Sequence, residues 1–114
     1  ILGLIHADPA RTWTLIELAK AAGMSRTGFA QRFRAVVGIA PLAYLTRWRM
    51  HLAERDLRQS DVLVSGLAYR LGYGSESAFS NAFKRVTGTA PRSYRIASRV
   101  ADALAAPPET PSAF

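Results

Sequence analysis

The stretch GMSRTGFAQRFRAVVGIAP, residues 23–41, returns in altered form as GYGSESAFSNAFKRVTGTAP, residues 72–91. Phe29 and Phe33 correspond to Phe79 and Phe83 at a separation of 50 residues. The same separation relates Ser25, Gly38, Ala40, Pro41 and Tyr44 to Ser75, Gly88, Ala90, Pro91 and Tyr94, and a separation of 49 relates Leu18, Ala19 and Gly23 to Leu67, Ala68 and Gly72. The one-residue slip falls in a turn, where an insertion is best tolerated. These matches indicate a duplicated motif.

Apolar residues recur at helical spacing throughout the chain, and no stretch alternates for long enough to predict a strand. Pro41 suits the first turn of a long helix. We therefore predict an all-α fold of about seven helices. It comprises a first helix-turn-helix subdomain at residues 1–40, a linker helix at 41–58, a second helix-turn-helix subdomain at 59–100, and a disordered, proline-rich tail at 101–114.

The composition is strongly basic. Fifteen lysines and arginines face eight acidic residues, which gives a net charge of +7, and thirteen of the fifteen are arginine. Such a balance indicates a polyanionic partner, either nucleic acid or an anionic membrane surface. The chain has no cysteine, which is compatible with a reducing cytoplasm, and no apolar run of about 18 residues that would predict a membrane span.

Each copy of the motif reads as a short helix, a glycine turn and a second helix that begins after a serine. This is the outline of a helix-turn-helix, whose second helix enters the major groove of DNA. We call these second helices the reading helices. At 100° per residue, Phe29, Phe33, Val36 and Val37 cluster on one side of the first and predict its buried face. The opposite, outward positions are Thr27, Gln31, Arg34 and Ala35, matched by Ser77, Asn81, Lys84 and Arg85.

Those outward side chains suit base and phosphate recognition. Gln and Asn bond adenine edges, Ser and Thr meet several edges, and Arg or Lys binds guanine or phosphate. Ser25 and Ser75 are predicted helix caps that also place the helix N-termini against phosphate. The candidates for phosphate or groove contacts are Ser25, Arg26, Arg32, Arg34, Ser75, Lys84, Arg85 and Arg92. A linker helix of about 17 residues spans roughly 25 Å, so one chain could place both reading helices in adjacent major grooves, about 34 Å apart.

The repeat, the linker YLTRWRMHLAERDL and the stretch LAYRLGYGSESAFSNAFKRVTGTAPRSYR resemble the DNA-binding domain of the AraC/XylS family of bacterial transcription regulators. The similarity covers residues 1–97. It implies sequence-specific binding of double-stranded DNA in the bacterial cytoplasm, at the nucleoid. It also implies a separate N-terminal effector-sensing or dimerisation domain, and RNA polymerase as a further partner of the full regulator. The base contacts that the resemblance implies are Thr27, Ala30, Gln31, Glu76, Ser77, Ser80 and Asn81.

Glu76 has two readings, because an acid in the first turn of a helix complements the macrodipole and can equally accept a bond from cytosine. The second copy also departs from the first at its start. Thr14 and Glu17 form a predicted capping box, but Leu63 and Gly66 occupy the matching places. Losing a cap costs about 1 kcal/mol. We therefore expect the second subdomain to be looser when free and to tighten on DNA.

Other functions fit the sequence less well. His6 and His51 stand far apart, and no metal-ligand or phosphate-loop motif occurs, so we expect no metal, no cofactor and no enzymatic activity. The arginines are spread over several short helices, which disfavours a membrane-surface peptide. RNA recognition would need exposed aromatic side chains, whereas the phenylalanines sit at core spacing. A helical protein-interaction module stays open and predicts an exposed apolar groove.

Overall fold

The computed structural model describes residues 1–105 of the 114-residue chain, and this part consists of seven α-helices joined by turns. The helices are α1 Leu2–Ala7, α2 Leu15–Ala21, α3 Arg26–Val37, α4 Pro41–Gln59, α5 Val64–Arg70, α6 Glu76–Thr87 and α7 Pro91–Ala105. No strand occurs in these residues, so the predicted all-α class is confirmed. The reading helices of the sequence are α3 and α6, and α4 is the linker helix.

Side-chain caps start three of the helices. The Thr14 hydroxyl accepts a hydrogen bond from the Glu17 amide at 3.1 Å, and Ser25 and Ser75 cap α3 and α6 in the same way. Only half of the predicted capping box forms, because the Glu17 carboxylate accepts from Arg11 instead. At α5 the N-cap position is Leu63, which offers no side-chain bond, as its sequence predicts.

Two separate hydrophobic cores lie at the two ends of α4. The first buries Ile5, Leu18, Ala19, Phe29, Phe33 and Leu45. The second buries Met50, Ala53, Leu57, Val64, Leu67, Ala68, Leu71, Phe79, Ala82 and Phe83. In both cores the ring centroids of the two phenylalanines of the reading helix lie 5.7–5.8 Å apart. A tyrosine ring, Tyr44 in the first core and Tyr94 in the second, packs edge-on against the second phenylalanine. The repeat in the sequence is therefore a repeat in packing.

The linker helix α4 makes different side-chain contacts from those its local sequence suggests. Its i, i+4 spacing predicts an ion pair between Glu54 and Arg58, and this prediction is wrong. Glu54 instead accepts a hydrogen bond from the Tyr94 hydroxyl at 3.1 Å, and Arg58 lies 3.6 Å from Asp102. Burial, followed by this bond to Glu54, raises the pKa of Tyr94 above its ordinary value. Both contacts attach α7 to α4.

The last turn of α7 corrects another prediction. Residues 101–105, assigned from sequence to a disordered tail, continue α7 as helix. The preceding turn is anchored where Arg99 binds Asp61 at 2.9 Å and the Ser60 carbonyl at 2.6 Å, and Asp102 adds its contact with Arg58. Long-range partners thus hold the end of α7 against α4 and the residues that follow it. The remainder of the predicted tail, residues 106–114, lies outside the described residues.

The last turns of α3 and α6 are more open than the helical wheel predicts. Val36 was expected in the core but is 76% exposed, and Val86, its counterpart, is 41% exposed. Val36 lies on the rim of an open apolar groove beside Leu2 and Met24. The wheel places Val37 correctly against the first core, but few side chains cover the neighbouring Val36.

Candidate nucleic-acid interface

The reading helices are held by their buried sides. Phe29 and Phe33 fix α3 against α2, and Phe79 and Phe83 fix α6 against α5. At each crossing a small residue, Ala19 or Ala68, is almost fully buried. This arrangement leaves the opposite side of each reading helix to solvent, as expected for a pair of helix-turn-helix units.

The residues predicted to read bases lie on these outer sides. Thr27 and Gln31 are exposed on α3, and Ser77 and Asn81 are exposed at the matching positions of α6. Ala30, Ser80 and Glu76 are half-buried beside them. Each helix therefore brings its share of the set onto one face.

Ser25 and Ser75 already have a structural role. Their hydroxyl oxygens accept from the amides of Gly28 and Ala78 at 3.1 and 3.0 Å. An exposed hydroxyl retains a donor and a second lone pair, so capping does not prevent a phosphate contact. A Cβ added at Gly28, three residues after Ser25, would lie 2.9 Å from the Ser25 hydroxyl oxygen.

The basic side chains divide into two groups. Away from the reading helices, arginines are paired with acids or bind backbone carbonyls; these are Arg11, Arg49, Arg55, Arg58, Arg70, Arg95 and Arg99. Among the residues described, five cations on α3 and α6 have no ion-pair partner: Arg26, Arg32, Arg34, Lys84 and Arg85. All five are exposed. Within residues 1–105, uncompensated positive charge is thus concentrated on the two reading helices. Lys20 and Arg47 are the other lysine and arginine side chains of this part that have neither an ion-pair partner nor a bond to a backbone carbonyl.

Two residues that are predicted to contact DNA, Arg92 and Glu76, form an ion pair with each other. The Arg92 guanidinium, at the start of α7, lies 3.3 Å from the Glu76 carboxylate at the start of α6. Both side chains are well exposed, at 79% and 40%, so the pair contributes little stability. Arg92 must leave or share Glu76 before it can bind a phosphate.

Sequence reasoning missed a set of arginines that bind backbone. Arg49 on α4 donates to the carbonyls of Pro9 at 2.6 Å and Arg11 at 3.0 Å. Arg99 on α7 donates to the Ser60 carbonyl, the counterpart of Arg11 in the second copy. The available signal was the separation of 50 between Arg49 and Arg99, which is the period of the repeat.

Within residues 1–105 no three or more histidines, aspartates and glutamates lie close enough together to hold a metal ion. In the same part of the chain, none of the helices combines the length and the apolar character that a membrane span requires.

Comparison with known proteins places this architecture in a family. The family model described as "Helix-turn-helix domain" matches residues 18–97. An AraC-like transcription regulator of Streptomyces lividans is 53% identical over 94 residues, which cover 82% of this chain and 31% of that protein. The regulator AlkR of Acinetobacter baylyi is 44% identical over 94 residues, with the same coverage. The chain thus spans about a third of the length of these curated relatives.

Solved structures agree with the sequence relatives. The DNA-binding domain of AdpA, solved in complex with a target DNA, superposes with a TM-score of 0.82 at 35% identity, covering 88% of this chain and 90% of that one. A DNA-binding transcriptional dual regulator of Escherichia coli K-12 gives a TM-score of 0.76 at 26% identity, covering 84% and 86%. The chain belongs to the AraC-type helix-turn-helix family of transcription regulators.

Proposed function

We propose that this chain binds double-stranded DNA sequence-specifically, as the DNA-binding part of a transcription regulator. The observation that carries the proposal is the repeated outer face of α3 and α6, where polar side chains lie among cations that have no partner within the described residues. Phosphate oxygens would supply the missing counter-charge, and released counterions would make binding steeply salt-dependent. The DNA complex of the AdpA domain supports the same assignment.

The two reading helices would occupy adjacent major grooves. The linker helix α4 has 19 residues, so at about 1.5 Å per residue it spans roughly 28 Å. With the width of the packed subdomains added, this approaches the roughly 34 Å between successive major grooves on one side of B-DNA. One copy of the chain could therefore read both grooves.

The proposed roles separate specificity from affinity. Sequence choice would come from residues on the outer sides of the two reading helices, which are Thr27, Ala30, Gln31, Glu76, Ser77, Ser80 and Asn81. Phosphate or groove contacts would come from Ser25, Arg26, Arg32, Arg34, Ser75, Lys84, Arg85 and Arg92. Such phosphate contacts fix the register of the protein on the duplex but carry no sequence information themselves.

RNA is a weaker candidate. Recognition of single-stranded RNA uses aromatic rings exposed for base stacking. Phe29, Phe33, Phe79 and Phe83 are all buried and form the cores instead.

We further propose that the complete regulator works in the bacterial cytoplasm at the nucleoid and has no catalytic role. The chain accounts for only 31% of the length of its relatives, which leaves room for an effector-sensing or dimerisation domain. RNA polymerase is the proposed protein partner of the complete regulator, because relatives that share this domain are transcription regulators.

Selection of bound duplexes from a random DNA pool, at near-physiological salt, tests the DNA proposal. Two enriched motifs about one helical turn apart would support two-groove reading. A single motif would mean that only one copy reads bases. No enrichment, with binding that vanishes as salt rises, would contradict sequence-specific binding and favour a nonspecific basic protein or a protein-interaction module.

Paired substitutions test the division of roles. Gln31→Ala should relax preference at one or two base pairs, at a cost of about 1–3 kcal/mol for the preferred sequence. Lys84→Ala should weaken all sequences alike and lower the salt slope by about 1. Anisotropy titrations of both variants on selected and scrambled duplexes measure this. Equal behaviour of the two variants would contradict the assignment.

A further inference from the structure

The two subdomains share α4 but no buried residue. Their cores are separate clusters at opposite ends of that helix. The principal helix packings also stay within one subdomain or involve α4. Recognition of two DNA motifs, however, needs the reading helices at a fixed separation and rotation. If one helix is misplaced relative to its groove, its contacts with DNA are lost. Some other contact between the subdomains would therefore sharpen recognition.

Such a contact exists between the α1–α2 loop and the α5–α6 turn. At Gly72 the backbone has φ +88, and a Cβ there would overlap the Ala10 carbonyl oxygen and lie 3.0 Å from the Ala10 Cα. The two backbones thus touch at a point where only glycine fits. Gly23 holds the same place in the first copy with φ +67, but nothing lies within 4 Å of its added Cβ. The close approach is therefore specific to the junction between the subdomains.

Arg49 of α4 closes this junction. Its guanidinium donates to the carbonyls of Pro9 and Arg11 on either side of Ala10, and it lies over the Tyr73 ring at 5.4 Å. Tyr73 in turn lies 5.6 Å from Phe79 on α6. One side chain thus connects the loop of the first subdomain, the linker helix and the support of the second reading helix.

The loop itself is braced. The Trp13 indole donates to the Asp8 carbonyl at 3.0 Å, and the Arg11 guanidinium covers the Trp13 ring at 4.3 Å. The backbone amides of Arg11 and Trp13 add bonds to Asp8 and Arg11 carbonyls. A braced loop can transmit the position of the first subdomain to Gly72, whereas a flexible one could not.

We propose that this inter-subdomain joint, formed by residues 9–11, Arg49, Gly72 and Tyr73, sets the spacing at which the two reading helices meet DNA. Arg49 and Gly72 are positioning residues that limit the chain to motifs at one separation. This inference rests on the proposed function.

The test uses duplexes carrying the two motifs that the wild-type chain selects from a random pool. The native spacing is compared with spacings one and two base pairs shorter or longer, and with duplexes in which one motif is scrambled. Gly72→Ala should lose about tenfold or more in affinity at the native spacing and show a broader spacing profile, because avidity between linked sites depends on geometry. Binding to the single-motif duplexes should change by less than about twofold, because each reading helix keeps its own packing.

Each variant has a matched control in the other copy. Gly23→Ala places alanine at the same left-handed backbone position without the clash, so its spacing profile should stay sharp. Arg49→Gln should broaden the profile, whereas Arg99→Gln breaks a clamp that lies wholly within the second subdomain and should not. Arg49→Gln also keeps the test valid if Gly72→Ala does not fold.

The outcomes distinguish the two proposals. A wild-type chain that selects no pair of motifs overturns two-groove reading and the joint together. A wild-type chain with a sharp profile, beside Gly72→Ala and Arg49→Gln with the same profile, overturns the joint alone. Loss of single-motif binding equal to the two-motif loss would also overturn it, because Arg49 would then be a phosphate contact or a purely structural residue.

Discussion

The first and second helix-turn-helix subdomains share one fold but are stabilised by different contacts. In the first subdomain the Thr14 side chain caps α2, but the core contains only six buried residues. This core opens onto a groove beside Val36. The second has Leu63 in place of that cap, yet it buries ten residues and is clamped by Arg95, which donates to the Leu57 and Val62 carbonyls.

The free energies of capping and burial predict that the second subdomain is the more stable one. A missing cap costs about 1 kcal/mol. Each large side chain that is fully buried contributes about 1.5–3 kcal/mol, so the larger core outweighs the lost cap. The expectation from sequence, that the second subdomain is looser when free, considered the cap without the core. We therefore expect the second subdomain to be the more stable of the two, although it lacks the cap.

Truncating a core phenylalanine should produce the largest effect. Phe83→Ala should reduce the free energy of unfolding by about 3–5 kcal/mol, because the ring is fully buried and leaves a cavity. Phe33→Ala, at the matching position, should lose less, since Phe33 borders the open groove. Urea unfolding of both variants measures the difference. Equal losses would mean that the two cores are equally tight.

Hydrogen exchange should show the next largest effect. The slowest amides of α5 and α6 should exchange about tenfold or more slowly than those of α2 and α3, which corresponds to about 1.4 kcal/mol. Exchange is followed on the free chain by NMR. Faster exchange in the second subdomain would contradict this prediction and support the expectation drawn from the missing cap.

Exchanging the caps should give the smallest effect. Leu63→Ser installs a capping hydroxyl at an exposed N-cap position and should stabilise the chain by about 1 kcal/mol. Thr14→Ala should destabilise it by a similar amount. Thermal unfolding compares both with wild type. A destabilised Leu63→Ser variant would show that the apolar surface that Leu63 contributes to the cleft it lines with Ile96 matters more than the cap.

Much of the fold could be predicted because its determinants are local. Ser25 and Ser75 cap helices through bonds that span three residues, and Phe29 and Phe79 mark buried faces through helical spacing alone. The duplication reinforced both signals. The outer positions of the candidate site followed from the same geometry, since a helix that buries one side exposes the other.

The rest depends on contacts between distant residues. Gly72 lies against Ala10, and Arg99 orders the end of α7 through Asp61, but no pattern within a window of sequence marks either contact. Helical spacing also predicts the side of α3 on which Val36 lies, but it does not predict whether other side chains cover that position. Glu54 and Arg58 found partners on α7, which a prediction made from one helix cannot anticipate.

The separation of the two cores has a consequence for how such a protein evolves. A substitution that changes one reading helix leaves the packing of the other untouched, because no buried side chain is shared between them. On the proposed function, each half of a binding site can then drift and be re-matched on its own, while the distance between the halves is inherited unchanged. New target sites would arise one half at a time.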